Sequence, residues 1–220
     1  ENVKGITYRK NGHAIRNEDE QLIQNLDELP FPAYHLVNDM REYRACGERM
    51  TILLESGRGC VFNCIFCSNC LLWQRKVRYK SIPKLIEEIK QLEEFHPDEY
   101  YIVHDFFTFD ENYVVEFCKA LQENNLKIKW NCRCRLNIAK ETLKAMKDAG
   151  CERLLYGVES GSEKVLRIMN KKIKFDSVFD SIRNTIECGI IPSLSFVVGI
   201  PGELIEDLGK TLHLILQAQL

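Results

Sequence analysis

Residues 57–67 read Gly57-Arg58-Gly59-Cys60-Val61-Phe62-Asn63-Cys64-Ile65-Phe66-Cys67. Three cysteines at C-x3-C-x2-C spacing sit in one short loop, and the apolar segment Thr51-Ile52-Leu53-Leu54 runs into it. Thiolates this close can converge on one iron–sulfur cluster, because soft sulfur ligands select iron clusters or zinc. Gly57 and Gly59 let the backbone approach such a group closely. Three thiolates on a 4Fe–4S cluster leave one iron open. A zinc ion would want a fourth Cys or His, and Cys70 follows just after the loop. We read Cys70 as a nearby packing thiol. A zinc or redox module using all four cysteines is the competing, non-catalytic reading.

Outward from the loop, the chain alternates strand and helix. The first strand covers residues 51–56. Ser81 is placed to cap a helix whose Ile82, Leu85, Ile86, Ile89 and Leu92 recur at helical spacing, with Pro83 in its first turn. Tyr100-Tyr101-Ile102-Val103 is a short apolar run, as for a buried parallel strand. Asp110 can cap the next helix, with Val114, Phe117, Cys118 and Leu121 on its apolar face. A third strand is expected over Lys127–Asn131. Continued alternation through Arg135 puts Asn131, Arg133 and Arg135 on one face, with Trp130, Cys132 and Cys134 on the other as packing residues. A helix with Leu143 and Met146 ends at Gly150. A fourth strand over Arg153–Val158, two helical segments (Ser162–Met169 and Asp176–Cys188), a fifth strand over Leu194–Val198 and a helical stretch over 204–220 complete the series. This order predicts an α/β fold with a parallel sheet, whose ligands sit at the carboxyl ends of the strands.

The 220 residues suffice for one core, and 45% are apolar. A net charge of −2 leaves no electrostatic footprint for nucleic acid or an anionic membrane. The basic run Arg75-Lys76-Val77-Arg78-Tyr79-Lys80 is expected to be a solvated face. There is no apolar run long enough to span a membrane. Ten cysteines are many for an intracellular chain, but a core of this length needs no disulfide staples, and we read a reducing cytoplasm. Cys46, Cys118, Cys151 and Cys188 are expected as small buried hydrophobes. Residues 3–16 read as a hairpin around Asn11-Gly12, and Leu29-Pro30-Phe31-Pro32 breaks regular structure. The division expected is a hairpin and linker over 1–50 and a core over 51–220. The start at Glu1 and the unfinished helical pattern at Leu220 read as cuts in a longer protein.

Three later motifs join the cysteine loop: His104-Asp105-Phe106-Phe107-Thr108, the G-x-E-S-G-S of Gly157–Ser162, and Gly199-Ile200-Pro201-Gly202-Glu203. In this order they resemble the radical S-adenosylmethionine (SAM) superfamily, over about residues 51–217. The resemblance implies a partial parallel (β/α)6-type barrel. About five units are present, and the sixth strand is expected beyond Leu220. It implies a 4Fe–4S cluster on Cys60, Cys64 and Cys67, with SAM on the open iron. Reduction cleaves SAM to methionine and a 5′-deoxyadenosyl radical, which abstracts hydrogen from a substrate. SAM contacts carried over from the resemblance are Phe66, Asp105, Arg135, Glu159, Ser160, Gly199, Ile200 and Gly202. Arg135 would clamp the methionine carboxylate, Glu159 and Ser160 the ribose, and the glycine-rich turn the adenine, while Ser162 is placed to cap the helix that follows, with Glu163 near its N-terminus. The chain lacks the Gly-Gly-Glu common in the family, so Asp105 is read either as an amino-group contact or as a brace for its loop. His104 is read as a hydrogen-bonded structural residue, with proton transfer as the other role.

The hairpin with Asn25-Leu26-Asp27-Glu28-Leu29-Pro30-Phe31-Pro32 resembles the linker that joins a cobalamin-binding domain to a radical SAM domain. That domain would lie upstream of Glu1. No D-x-H-x-x-G cobalamin-ligand motif occurs, and His13 and His35 are read as ordinary histidines. The resemblance implies an enzyme, with cobalamin-dependent methyl transfer as one reaction, cyclisation or ring rearrangement as another, and transfer RNA methylthiolation as an alternative. It also implies an external one-electron reductant of flavodoxin or ferredoxin type. Neither the substrate nor any catalytic side chain beyond the cofactor contacts follows from these motifs.

Overall fold

The computed structural model describes residues 2–37, 39–42 and 49–218. Cys46 lies outside them. Strands β1 (Thr7–Lys10) and β2 (His13–Arg16) form the expected hairpin. Asn11 and Gly12 turn it with φ of 49° and 83°, as a type I′ turn requires.

The core begins at β3 (Thr51–Glu55), which leads into the short strand β4 (Gly57–Arg58), helix α1 (Asn69–Leu72) and strand β5 (Arg78–Tyr79). Helix α2 (Ile82–Leu92) then precedes β6 (Glu99–Val103), α3 (Glu111–Glu123), β7 (Trp130–Cys134), α4 (Lys140–Asp148) and β8 (Cys151–Glu159). Helices α5 (Glu163–Ile168) and α6 (Phe175–Glu187), strand β9 (Ile191–Phe196) and helix α7 (Ile205–Ala218) follow. Strands β3, β6, β7, β8 and β9 lie in that order in one sheet, and every neighbouring pair is parallel. Among the described residues the result is a partial (β/α) barrel of five units.

Helix caps fall where the sequence places them. Ser81 accepts from the Lys84 N–H, Asp110 from the Asn112 and Tyr113 N–H groups, and Ser162 from the Val165 N–H. One face of the sheet packs on the helices. Ile52, Leu54, Ile102, Trp130, Cys132, Leu154, Tyr156 and Val158 are buried there. Phe107, Phe117 and Trp130 meet edge to face with centroids 5.8–5.9 Å apart, and Trp130 Nε1 donates to Ala149 O at 2.8 Å. Burial pushes the Cys132, Cys134 and Cys151 thiols well up, so they stay neutral inside the core.

Two strands are shifted from their expected positions. β7 begins at Trp130, not Lys127, because Lys127 and Lys129 are exposed and the ladder starts where the buried indole anchors it. β9 begins at Ile191, ahead of Leu194. Pro192 argues against a central strand, but β9 is the sheet's edge, where a missing N–H is tolerated. The basic run is not a solvated face either. Arg75 and Lys76 are exposed, but Arg78 and Lys80 turn inward. Arg78 donates to Ile23 O at 2.6 Å and covers the Trp73 ring. Cys188 is half-buried, not buried. The linker is docked: Leu26 is fully buried, Asp27 accepts from the Ser81 N–H at 2.8 Å, and Tyr34 donates to Leu53 O on edge strand β3 at 3.0 Å.

Two buried polar features brace the barrel beneath the cysteine loop. Lys80 Nζ lies 2.8 and 2.9 Å from the Glu88 carboxylate oxygens, and both side chains are 3% exposed. The buried His104 ring stacks on Tyr79 at 4.9 Å, and its Nδ1 accepts from the Phe106 N–H at 3.0 Å. Burial pushes the His104 pKa down from 6.5 to about 4, so it is neutral near neutral pH and carries no proton to donate as a cation.

Lys80→Met strands a buried carboxylate and should cost about 3–5 kcal/mol in urea unfolding, whereas Lys80→Met/Glu88→Leu should recover most of it. His104 has a lower pKa folded than unfolded, so its contribution to stability is complete above pH 6.5 and is lost as the pH falls towards 4. Between pH 7.5 and 5 the wild type should lose about 2 kcal/mol more than His104→Gln in the same assay.

Candidate functional site

The carboxyl end of β3 passes straight into the cysteine loop. Ser56 N–H donates to Val103 O at 3.1 Å, and Lys80 N–H to Ser56 O at 3.0 Å, so both ends of residues 56–80 are tied to the sheet. β4 pairs antiparallel with β5 and closes the base of the loop. Gly59 has φ +98°, and a Cβ there would stand 1.9 Å from Lys76 O, so only glycine fits.

Asp105 follows β6 and holds this loop. Its Oδ2 accepts from the Gly59 N–H at 2.7 Å, and its Oδ1 accepts from the Asn69 side chain. These two partners flank all three cysteines. Both oxygens thus serve the loop, the second of the two roles read for Asp105. On its far side the loop rests on residues 169–170. Ile65 N–H donates to Met169 O at 3.1 Å, and the Asn170 amide donates to Asn63 O and Oδ1 at 3.2 and 2.7 Å.

Cys64 is buried; Cys60 and Cys67 are half-buried. Burial pushes the Cys60 thiol up, while the Phe62 N–H and Arg135 pull it down. The Arg135 guanidinium lies against Cys64 and Cys60, 3.6 Å over the Phe62 ring, and donates to Lys172 O at 3.3 Å. Burial lowers its pKa, and the two thiols and Glu159 raise it. Cys70 donates to Cys67 O at 3.2 Å from α1. Among the described residues, no three His, Cys, Asp or Glu side chains gather tightly enough to ligate one metal ion. A cubane cluster does not ask for that, since each thiolate binds a separate iron. Zinc would draw all its ligands to about 2.3 Å of one point. The donor set of soft thiols beside a cation fits the cluster.

Glu159 ends β8 in a left-handed conformation, φ 72°, beside a break in the β8–β9 register. Its Oε1 accepts from Lys171 at 2.9 Å, in a pair whose side chains are 10% and 7% exposed. Lys171 escapes the sequence reading, because nothing in its neighbours marks it from the adjacent Lys172. Ser160, expected beside Glu159 on the ligand side, instead turns inward. It is fully buried, its Oγ accepts from the Ser162 N–H at 3.1 Å, and it lies 3.3 Å from Thr211 Oγ1. With Ser162 donating to Asp207 at 2.7 Å, these groups fasten the end of β8 to α7.

The turn after β9 carries the remaining candidates. Val197 N–H donates to Glu159 O at 2.9 Å, which sets this turn beside the end of β8. Gly199 and Gly202 have φ of +86° and +90°, and the Gly199 N–H donates to Glu203 Oε2 at 2.6 Å. Ile200 is half-buried. Phe66, 39% exposed, stands on the outer rim. The structure therefore gathers Cys60, Cys64, Arg135 and Glu159 at one end of the sheet, and leaves Phe66 and Gly199–Gly202 on flanking loops.

A family model described as the radical SAM superfamily matches residues 54–215. The chain is 33% identical over 213 residues to an uncharacterized methyltransferase of Pyrococcus horikoshii, covering 96% of this chain and 46% of that protein. It is 28% identical over 216 residues to an anaerobic magnesium-protoporphyrin IX monomethyl ester cyclase of Cereibacter sphaeroides, covering 95% of this chain and 35% of that one. The chain thus spans less than half the length of these relatives. In structure it is similar to OxsB, a cobalamin-dependent SAM radical enzyme solved with aqua-cobalamin bound, with a TM-score of 0.80, 20% identity, and coverage of 97% of this chain and 32% of that one. A thiol loop at the carboxyl end of the first barrel strand and a family match over most of the chain agree: this protein belongs to the radical SAM superfamily, enzymes that bind a 4Fe–4S cluster and S-adenosylmethionine.

Proposed function

We propose that residues 51–218 are the cofactor-binding core of a methyl-transferring radical SAM enzyme, with Cys60, Cys64 and Cys67 as the cluster ligands. The observation that carries this is the loop itself. Asp105 and the left-handed Gly59 hold three thiols at the carboxyl edge of the sheet, with Arg135 against two of them. When bound, the cluster and SAM supply the one-electron cleavage that yields a 5′-deoxyadenosyl radical.

The chain's own residues bind and orient. Arg135 offers a half-desolvated guanidinium to the methionine carboxylate. Glu159 keeps Oε2 without a hydrogen-bond partner among the described residues, while Lys171 fixes Oε1, so one oxygen is left for the ribose hydroxyls. Gly199, Ile200 and Gly202 give the adenine a flat backbone edge, and Phe66 closes the rim. His104 and Asp105 brace the loop from below.

Methyl transfer is favoured by the 33% identity to a protein named a methyltransferase. The likeness to OxsB, solved with aqua-cobalamin bound, supports cobalamin as a further cofactor of the whole protein. Ring closure is the second reading, carried by the similarity to the cyclase. All nine described cysteines are free thiols, which suits the reducing cytoplasm.

Anaerobic reconstitution followed by electron paramagnetic resonance of the reduced protein tests the core assignment. A 4Fe–4S signal that shifts on adding SAM, with 5′-deoxyadenosine released, is expected. A signal indifferent to SAM, or stoichiometric zinc without labile sulfide, would contradict it. Gly59→Ala should lower iron incorporation severely, since a left-handed non-glycine costs about 1–2 kcal/mol before the clash with Lys76 O is counted. Asp105→Asn should weaken incorporation less, since Asn can still accept one of the two bonds.

A further inference from the structure

One face of the sheet packs on the helices, and the other stays open. Strand register places Tyr101, Asn131 and Arg153 in one row across the open face, on β6, β7 and β8. Leu53 and Ile191 end that row on the two edge strands and are 57% and 54% exposed. One step towards the carboxyl end, Arg133 stands opposite Leu155. Arg133 and Arg153 are exposed, and Tyr101 and Asn131 are half-buried. Closed barrels of parallel strands commonly fill this inner face with layers of bulky branched side chains. Here its middle carries a phenol, an amide and two guanidiniums instead.

The strand carboxylates of this face are held elsewhere. Glu55 takes Arg58 Nε and Nη2 at 2.8 and 3.0 Å, and Glu159 takes Lys171 at 2.9 Å. Glu99 and Glu152, at the amino edge, each lie 3.7 Å from Arg49, and Glu152 also lies 3.3 Å from Lys129. The register shifts between Trp130 and Asn131, so that Arg153, and not Glu152, stands opposite Asn131. Arg133 and Arg153 thus have no carboxylate partner among the described residues. Arg133 lies beside the Tyr101 hydroxyl, whose pKa burial pushes up and this cation pulls down. The two arginines are diagonal neighbours on adjacent strands, within reach of one group between them. Alone they repel each other; an anion between them turns that repulsion into attraction.

We propose that this inner face is the substrate site, and that it holds a small molecule by a phosphoryl group gripped between Arg133 and Arg153, with Tyr101 and Asn131 beside it. Two unopposed guanidiniums match a dianion, which a single carboxylate is not. As a substrate site this rests on the reading above that the thiol end of the sheet carries the cluster and SAM. Arg135 follows Arg133 by two residues, about 7 Å further along the chain, and lies against Cys60 and Cys64. An anion held at Arg133 therefore leaves the rest of the molecule to extend towards the thiols, where the radical would form.

The full-length protein, purified without cluster reconstitution, is titrated calorimetrically with inorganic phosphate at about pH 8, where phosphate is mostly a dianion. Arg133→Gln should weaken binding about tenfold or more and Arg153→Gln about fivefold, and the double variant should show none. Arg133→Lys, which keeps the charge and loses the fork, should fall between wild type and Arg133→Gln. Both arginines are exposed, so these variants should unfold at the wild-type temperature. A rival cationic cavity of about 310 Å³ lies on the rim, lined by Arg135, Lys172 and Lys174. Lys172→Gln/Lys174→Gln should leave phosphate binding unchanged. No binding by the wild type, wild-type affinity in Arg133→Gln/Arg153→Gln, loss in the rim variant, or acetate binding as tightly as phosphate would overturn the proposal. Phosphate bound through these arginines in a protein that takes up no SAM-responsive cluster would contradict the cofactor reading alone. A SAM-responsive cluster in a protein whose phosphate binding ignores both arginines would contradict this inference alone.

Discussion

A single carboxylate organises the functional end of this molecule. Asp105 leaves the end of β6 and takes hydrogen bonds from Gly59 before the first thiol and from Asn69 after the third. The loop between is thereby tied to the second strand of the barrel as well as the first. Without that tie, three cysteines on a loop would sample many arrangements, and a cluster would have to meet the ordering cost itself. The geometry also explains the glycine. The Gly59 N–H meets Asp105 from a left-handed turn under Lys76, where no side chain fits.

The rest of the barrel separates support from chemistry by strand alternation. On β7, Trp130, Cys132 and Cys134 enter the apolar layer, while Asn131 is half-buried and Arg133 exposed on the other face. Arg135, just past the strand end, reaches the thiols. The same division governs β8, where Leu154, Tyr156 and Val158 pack inward, and Glu159 turns out through a left-handed residue at the register break. Burial keeps the core thiols Cys132, Cys134 and Cys151 neutral within the apolar layer.

Much of this was legible in the sequence, for reasons that differ by residue. The helix caps Ser81, Asp110 and Ser162 were legible because capping is a local bond between neighbours. The strand order followed from alternating periodicities. What depended on distant partners was not. Nothing around Lys80 announces that it is buried against Glu88, eight residues on, nor does Lys171 announce its pairing with Glu159. Ser160 reads as a ligand-side hydroxyl beside Glu159, and only the approach of Thr211 from α7 shows that it faces inward. The basic run misleads for the same reason: Arg78 and Lys80 alternate inward on and beside β5, while Arg75 and Lys76 sit in the turn before it.

The account stands on three thiolates serving four irons, with Cys70 occupied at the Cys67 carbonyl. Mössbauer spectroscopy of the 57Fe-reconstituted protein, with and without SAM, tests that directly. The account predicts that SAM moves the signal of one iron in four and leaves the other three unchanged. Four irons that remain equivalent when SAM is added would mean that a fourth protein ligand closes the cluster, and would contradict the account.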